Sequence, residues 1–276
     1  MYESYWHLKE KPFQNTPDPR FLYLSAEHED AMMKLSYVIT QNLGCGMLSG
    51  VFGCGKTLLG RALLNDLGKD KIRSCFITSP SYSEPNELLR AIVRGLNPQA
   101  LPDKKTELMT DSLLEKLHSI LLDNVRDGKE NIVIIDEAHT IEDAKLFEQM
   151  RLILNFQRED KFLLTLLILG QPELKDRVEG NKPFNQRVAI RCYLEAFKEE
   201  DVEKYLTHRI KVAGRPEALP AIFGKEAVKL IFQHSGGIPR RINTVGDLTL
   251  MSGFAQKAQT IEPDLVNSVI KDFNLG

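Results

Sequence analysis

The chain has 276 residues, of which 42% are hydrophobic and 27% charged, close to the averages of soluble globular proteins. This length suits one large domain or, as we expect here, a core with a smaller appendage. The formal charge of −2 excludes a general basic field that would draw the chain to DNA or anionic lipid, although a local basic patch stays open. The four cysteines have no zinc-binding spacing with the six histidines and indicate reduced cytosolic thiols.

The N-terminus lacks the continuous apolar stretch of a signal peptide. The longest apolar run, "FLLTLLILG" at residues 162–170, is about half of what a membrane-spanning helix needs. We interpret it as a buried parallel strand. The sequence therefore predicts a cytoplasmic chain without a membrane span of its own.

The elements alternate through most of the chain. The first two dozen residues, rich in proline and aromatic side chains, predict an ordered arm, and Ser25 is a candidate cap of a helix that ends near Gly44. Strands are expected at 45–49, 72–78, 131–136, 162–170 and 188–197, and helices at 56–68, 86–96, 111–125 and 142–157. Such alternation indicates an α/β fold, with a parallel sheet covered by helices on both faces.

Beyond Phe197 only helical patterns occur, at 198–214, 225–235, 239–258 and 262–273. The predicted organisation is thus an arm and an α/β nucleotide-binding core over residues 1–195, and an all-α lid over residues 196–276.

The segment "GVFGCGKT" matches the glycine-rich phosphate loop, with Gly50, Gly55, Lys56 and Thr57 at the fixed positions. Glycines allow backbone N–H groups to converge on phosphate oxygens, and the positive end of the following helix faces the same anion. Lys56 would neutralise the β- and γ-phosphates of ATP, and Thr57 would hold Mg²⁺. A chance match is disfavoured because a strand precedes the loop and a helix follows it.

Polar residues follow two of the apolar strands. In "NIVIIDEAH", Asp136 suits the metal shell and Glu137 suits a general base aimed at water. Gln171 follows the strand 162–170, where it would position the attacking water. The alternatives are a merely solvated Glu137 and a turn residue at Gln171.

Three arginines lie at the ends of elements: Arg187 before the last strand, and Arg240 and Arg241 at the start of a helix. A planar, permanently charged guanidinium suits the charge of phosphoryl transfer. By spacing alone, surface ion pairs are an equal alternative.

Two smaller interpretations also stay open. Cys54 lies in the phosphate loop, either as an oxidation-sensitive thiol near a helix terminus or as an ordinary small residue. Phe13, Phe21 and Tyr23 either line an adenine pocket or anchor the arm.

These motifs, together with the opening "KEKPFQNTPDPRFLYLS" and the segments "LLILGQPEL", "NQRVAIRCYLEAF" and "GGIPRRIN", resemble the AAA+ ATPases of the general secretion pathway protein A family. The resemblance covers essentially the whole chain. It implies a five-stranded AAA+ core with a helical lid, ATP bound between neighbouring subunits, and assembly into a ring or filament. Because full-length members continue beyond the lid, this chain resembles the short standalone members, such as the ATPases of mannose-sensitive haemagglutinin pili or exopolysaccharide export.

The resemblance also implies residue roles. Lys56 and Thr57 become the Walker A pair, Asp136 and Glu137 the Walker B pair, and Gln171 sensor 1. Arg187 becomes the finger acting in trans, with Arg191 as the alternative, and Arg240 becomes sensor 2, with Arg241 as the alternative. Thr78 is a candidate switch that holds Glu137 off the water. The expected nucleotide-binding residues are Gly50, Gly53, Cys54, Gly55, Lys56, Thr57, Leu58 and Asp136.

The leading functional hypothesis is an ATPase that drives assembly of an envelope machine, such as a pilus, a secretin or a polysaccharide exporter. Its expected partners are further copies of itself and a membrane protein that brings it to the inner membrane. The first alternative is a DNA-bound ATP switch that resembles transposition regulators, for which "HRIKVAGR" and "PRRIN" offer local positive charge. A small-molecule kinase is a weaker alternative, because paired carboxylates suit water better than a hydroxyl acceptor.

Overall fold

The computed structural model describes residues 1–68, 70–100, 109–158 and 161–274. The strands are β1 (Cys45–Gly50), β2 (Ile72–Ile77), β3 (Glu130–Ile135), β4 (Gln157–Arg158), β5 (Lys161–Phe162), β6 (Thr165–Gly170) and β7 (Val188–Leu194). The helices are α1 (Ala26–Thr40), α2 (Lys56–Leu67), α3 (Pro85–Leu96), α4 (Thr110–Arg126), α5 (Ala144–Ile153), α6 (Glu173–Gly180), α7 (Lys182–Asn185), α8 (Glu199–Val212), α9 (Lys225–Ser235), α10 (Pro239–Ala255) and α11 (Pro263–Asp272). Short 3-10 turns cover Pro19–Phe21 and Ala138–Thr140.

Five strands form one parallel sheet in the order β2-β3-β6-β1-β7. Since every pairing is parallel, the carboxyl ends of all five strands lie at one edge of the sheet. This confirms the predicted fold class, a five-stranded parallel sheet with helices followed by a helical C-terminal region.

Both faces of the sheet are covered by helices, as β1 illustrates. Cys45 and Met47 point to one face and join an apolar cluster with side chains of α3, α4 and α5. Gly46 points to the other face, where an added Cβ would lie 3.2 Å from a methyl carbon of Leu35 on α1. A strand buried on both faces has to be apolar throughout, which is why the predicted strands read as continuous hydrophobic runs.

Some predicted boundaries were wrong. The first helix ends at Thr40 rather than near Gly44, because Asn42 and Gly44 adopt positive φ angles of 51° and 86°, which end helical hydrogen bonding. The apolar run 162–170 is divided, since Phe162 pairs antiparallel with Gln157 in a short hairpin and β6 begins only at Thr165. Helices α6 and α7 were not predicted.

Contacts between Cα atoms group the chain into two compact units. The sheet unit contains Glu27–Gly50 and Leu59–Leu194, and the helical unit contains Met1–Ala26, Val51–Leu58 and Glu195–Gly276. The arm and the phosphate loop thus belong to the helical unit by their contacts. The functional division into residues 1–195 and 196–276 stays a prediction.

The arm is ordered, because its aromatic side chains form the core of the helical unit together with α8 to α11. Trp6 is buried and donates its indole N–H to the Leu250 carbonyl at 2.9 Å. Phe13 packs edge-on against Phe223, and Tyr23 against Phe197. Their contacts support the anchor interpretation of these aromatic residues.

Among the helices within the described ranges, none has both the length and the apolar character that crossing a bilayer requires.

Candidate functional site

The phosphate loop has the backbone that an anion site needs. Gly53 and Gly55 adopt φ angles of +86° and +95°, which L side chains rarely tolerate. Lys56 opens α2, is only 6% exposed, and donates its ammonium group to the Val51 carbonyl at 2.9 Å. The loop therefore combines a left-handed glycine pair, a helix N-terminus and a buried cation, as the fit to a phosphate chain requires.

The flanking residues of the loop are restricted by packing. At Gly50, an added Cβ would lie 2.5 Å from the Leu194 carbonyl oxygen of β7, so close approach of the strands requires glycine here. Cys54 is fully buried, and this burial raises the pKa of its thiol, against a smaller opposing effect of Lys56. The structure thus favours the interpretation of Cys54 as an ordinary small residue over that of an oxidation-sensitive thiol. Thr57 and Leu58 occupy the first turn of α2 and are half-buried.

The first turn of α10 contacts this loop through Arg240. Its backbone N–H donates to the Gly53 carbonyl at 3.3 Å, and its guanidinium carbon lies 4.9 Å from the centre of the Phe52 ring. A Cβ on Gly53 would come within 3.0 Å of the Arg240 Cβ. Arg241 is exposed, and its backbone N–H bonds Ile238 instead. Of the two arginines, Arg240 is therefore the one that the structure brings to the phosphate loop.

Asp136 and Glu137 follow β3 at the carboxyl edge of the sheet. Asp136 is 3% exposed, donates its N–H to the Ile77 carbonyl at 2.8 Å, and accepts the Glu137 N–H at 2.9 Å on its Oδ1. Glu137 has a left-handed φ of 53°, a conformation that non-glycine residues adopt mostly where the surroundings enforce it. The Thr140 hydroxyl donates to its carbonyl at 2.8 Å. The backbone at this acidic pair is thereby fixed.

A histidine that sequence reasoning missed lies between two predicted site residues. His139 Nδ1 is 3.3 Å from Glu137 Oε2. On the other side, His139 Nε2 is 3.0 Å from the Gln171 amide nitrogen, and the Gln171 backbone nitrogen is 3.3 Å from Nδ1. The signal in the sequence was a histidine three positions after Asp136, in a turn that follows a buried strand.

Thr78, the candidate switch, follows β2 directly and is exposed. Its strand neighbour Ile77 pairs with Ile135, so that Thr78 lies at the carboxyl edge of the sheet. The carboxylate of Glu137 meets His139 rather than Thr78. A switch role for Thr78 stays a prediction.

Arg187 lies at the opposite edge of the sheet from the acidic pair. It precedes β7, which runs parallel to β1, and it donates to the Asn155 Oδ1 at 2.8 Å. Seven residues of extended strand separate the two edges by about 20 Å. Within the sheet unit, Arg187 is thus too distant to assist Glu137 of the same chain.

Arg191, the alternative finger, is occupied at the end of α7. Its guanidinium donates to the Asn185 carbonyl at 3.1 Å, to the Asn185 side-chain oxygen at 2.7 Å and to the Val188 carbonyl at 3.1 Å. These three bonds give Arg191 a structural role in closing this helix.

A family model described as "AAA domain" matches residues 39–178, which include the phosphate loop, the acidic pair and Gln171. The chain belongs to the AAA domain family. General secretion pathway protein A of Aeromonas hydrophila is 33% identical over 263 residues, which cover 95% of this chain and 46% of that protein. The chain therefore spans about half the length of this curated relative, and it is homologous to that half.

Solved structures of AAA proteins share the fold. The ORC2 protein of Aeropyrum pernix, solved with ADPNP and ADP, aligns with a TM-score of 0.71 and 15% identity over 95% of this chain and 71% of its own. Cdc6p of Pyrobaculum aerophilum aligns with a TM-score of 0.71 and 20% identity over 92% of this chain and 70% of its own. A RuvB mutant of Thermotoga maritima aligns with a TM-score of 0.61 and 14% identity over 91% of this chain and 70% of its own. At these identities the likeness concerns the fold alone. Membership of the AAA family implies ATP binding, and the phosphate loop has the backbone and the buried lysine that fit it.

Proposed function

We propose that this protein is an ATPase that hydrolyses ATP with Mg²⁺ at sites shared between neighbouring copies, and that hydrolysis drives assembly of an envelope machine for secretion, pilus formation or polysaccharide export. The observation that carries the proposal is the homology to General secretion pathway protein A over 95% of this chain. Since the chain spans 46% of that relative, the machine is inferred from the shared half only.

Each group at the site has a task. Lys56 and the N–H groups of Gly53 and Gly55 bind the phosphates, with Cys54 between the two glycines and Leu58 in the first turn of α2. Thr57 and Asp136 would hold Mg²⁺, which would offset the negative charge of the phosphates. Glu137 orients water and accepts its proton, and Gln171 senses the γ-phosphate. The burial of Asp136 suits a carboxylate whose charge a cation compensates.

Two arginines act on the nucleotide from different copies. Arg240 serves as sensor 2, because its contacts with Phe52 and Gly53 tie α10 to the phosphate loop. Arg187 serves as the finger in trans, because it lies at the opposite edge of the sheet from Glu137. A contact between the Arg187 surface of one copy and the nucleotide site of the next copy joins two different surfaces. Such a head-to-tail contact closes into a ring or continues as a filament.

The homology to General secretion pathway protein A also suggests the partners and the cellular location of this protein. Copies of this chain would assemble in the cytoplasm, and a membrane protein of the machine would bring them to the inner membrane.

The first experiment is the mass of the protein in solution with ATP and Mg²⁺, with and without duplex DNA. Glu137→Gln slows turnover and should accumulate the ATP-bound assembly. The matched control is Glu142→Gln, which changes an exposed carboxylate five residues away. We expect Glu137→Gln to assemble in the presence of ATP, and we expect the mass of this assembly to be the same with and without duplex DNA. Assembly only on DNA would replace the proposal with a DNA-bound ATP switch, and a monomer under all conditions would remove the shared site.

A further inference from the structure

The proposed roles use Gln171 but leave its neighbour His139 unused. The imidazole of His139 contacts Gln171 twice: the Gln171 backbone N–H donates to Nδ1 at 3.3 Å, and the Gln171 side-chain amide lies 3.0 Å from Nε2. The His139 side chain is only 15% exposed. One largely buried ring thus holds Gln171 by its backbone and by its side chain.

The backbone hydrogen bond selects the tautomer of this ring. Because Nδ1 accepts the Gln171 N–H, its lone pair is occupied, and the single proton of the neutral imidazole is on Nε2. The Glu137 carboxylate lies 3.3 Å from Nδ1 and receives no hydrogen bond from this nitrogen. His139 therefore serves Gln171 rather than Glu137.

The tautomer in turn selects the orientation of the Gln171 amide. Nε2–H is a donor, and the acceptor of an amide is its oxygen. The oxygen and the nitrogen of an amide exchange places by a half turn, so the oxygen takes the position that lies 3.0 Å from Nε2. The amide nitrogen of Gln171, with its two N–H groups, is then directed away from His139.

The backbone fixes both residues of this pair. Gly170 ends β6 so close to the turn at His139 that an added Cβ would lie 3.0 Å from the His139 backbone nitrogen. The Gln171 carbonyl accepts the Leu174 N–H at 2.9 Å, at the start of α6. Two side chains that fixed backbone carries in this way bond each other with little further loss of entropy.

The register of the sheet places Gln171 at the start of the phosphate loop. Ser49 of β1 pairs with Gly170 of β6, so Gln171 comes next to Gly50, the first residue of the loop. An amide oxygen presented there would repel phosphate oxygens, whereas N–H groups would donate to them.

We propose that His139 is a positioning residue, which turns the Gln171 amide so that its N–H groups, and not its oxygen, are presented to the γ-phosphate. The inference rests on the proposed hydrolytic function and specifies how Gln171 acts in it, as a hydrogen-bond donor. His139 keeps its proton on Nε2 throughout, and Glu137 remains the group that accepts the proton of water.

The first test measures the tautomer directly. In protein labelled with ¹⁵N at its six histidines, couplings between the ring protons and the ring nitrogens distinguish Nε2–H from Nδ1–H. The spectrum of His139→Gln identifies the signals of His139. We expect the Nε2–H form at pH 8 without nucleotide. A proton on Nδ1 would overturn the inference, whatever the ATPase activity.

The second test shows which end of the amide serves the nucleotide. Gln171→Glu keeps an oxygen for Nε2–H but has no N–H to present. We therefore expect its single-turnover rate constant to fall at least as far as that of Gln171→Ala, by about 10-fold or more. If Gln171→Glu hydrolyses ATP at the wild-type rate, the oxygen is the working end of the amide and the inference fails.

Matched substitutions test the ring itself. The side-chain nitrogen of glutamine reaches about the position of Nε2, and that of asparagine only about the position of Nδ1. We expect His139→Gln to keep most of the single-turnover rate, and His139→Asn and His139→Ala to lose about 2- to 10-fold, as for one neutral hydrogen bond. In the Gln171→Ala background, His139→Ala should have no further effect, because it acts through Gln171.

Equal losses in the three His139 variants, or a further loss in the Gln171→Ala background, would overturn the inference. The ADP Kd of each variant should stay within about twofold of the wild type, since ADP has no γ-phosphate, and it separates a loss of positioning from a loss of fold. The tautomer measurement keeps the inference testable if the alanine variant does not fold. The proposed function is tested apart from this, since it fails if the wild-type protein hydrolyses no more ATP than Lys56→Ala.

Discussion

The guanidinium of Arg240 lies over the ring of Phe52 at 4.9 Å, so the first turn of α10 is fastened to the phosphate loop by a side chain as well as by a backbone hydrogen bond. Both residues are substantially exposed, which leaves the guanidinium accessible to solvent and to an anion. Arg241, the next residue, has no such contact with the loop. The pair therefore offers a matched test of which arginine serves the nucleotide.

We expect Arg240→Ala to raise the ATP Kd by about 10-fold or more, because it removes a charged donor to the phosphates and a hydrogen bond of that kind contributes about 1.5–3 kcal/mol. Arg241→Ala should change it by less than about twofold. Equilibrium titration with a fluorescent ATP analogue measures both. Equal effects of the two variants would mean that the contact with Phe52 does not prepare Arg240 for the nucleotide.

A buried arginine fastens the arm within the helical unit. Arg209 is 4% exposed and donates to the Pro12 carbonyl at 2.6 Å and the Gln14 carbonyl at 2.8 Å, with its guanidinium 4.7 Å from the centre of the Phe21 ring. Arg209→Met keeps the apolar stem but leaves these carbonyls without their donor. Because the bond to the Pro12 carbonyl is buried and this carbonyl would be left without a partner, we expect a loss of about 1–3 kcal/mol in the free energy of unfolding.

Urea denaturation measures this loss, and proteolysis should cut the arm of Arg209→Met faster than that of the wild type. Lys204→Met, on the exposed side of the same helix, is the control and should change stability by less than about 0.5 kcal/mol. If both variants behave alike, the arm is held by its aromatic residues alone.

Features of the fold and of the site that arise from local sequence patterns could be predicted, and those that depend on contacts between distant residues could not. The buried strands and the phosphate loop could be predicted, because apolar runs and fixed glycine positions are local features. The role of Arg209 could not, since it depends on carbonyls nearly 200 positions away. The contact of His139 with Gln171 arises from the neighbouring ends of β3 and β6, a relationship of strand order that the pattern of a single sequence does not contain. The boundary at Gly44 depends on backbone dihedrals of individual residues.

All four cysteines are buried and reduced, and their protonation gives a test by pH. Burial raises the pKa of Cys75 and of Cys192 to about 11, and raises the pKa of Cys45 and Cys54 as well. At pH 8 only about one in a thousand thiols with a pKa of 11 is ionised, and the buried sulfur atoms are also shielded from reagents. We expect Ellman's reagent to label the native protein hardly at all at pH 8, and to label four thiols after unfolding.

The same shifts predict a loss of stability at alkaline pH. The folded thiols bind protons more tightly than the unfolded ones, so their contribution is full below the unfolded pKa, near 9, and declines as the pH rises toward 11. Chemical denaturation between pH 8 and 10.5 should show a falling free energy of unfolding. In Cys75→Ala this decline should be smaller than in the wild type. A steeper decline in that variant would contradict the assigned direction.

The placement of Arg187 across the sheet from Glu137 leads to a test of the shared site. Arg187→Ala keeps its own phosphate loop, and Lys56→Ala keeps its own arginine finger. Each variant alone should hydrolyse little ATP. In an equal, randomly mixed assembly, about a quarter of the contacts join an intact loop to an intact finger, so ATPase activity should rise to about a quarter of that of the wild type. Arg191→Ala should instead lower the melting temperature, because it loses the bonds that close α7. If mixing the first two variants restores no activity at any ratio although both assemble, Arg187 does not act in trans.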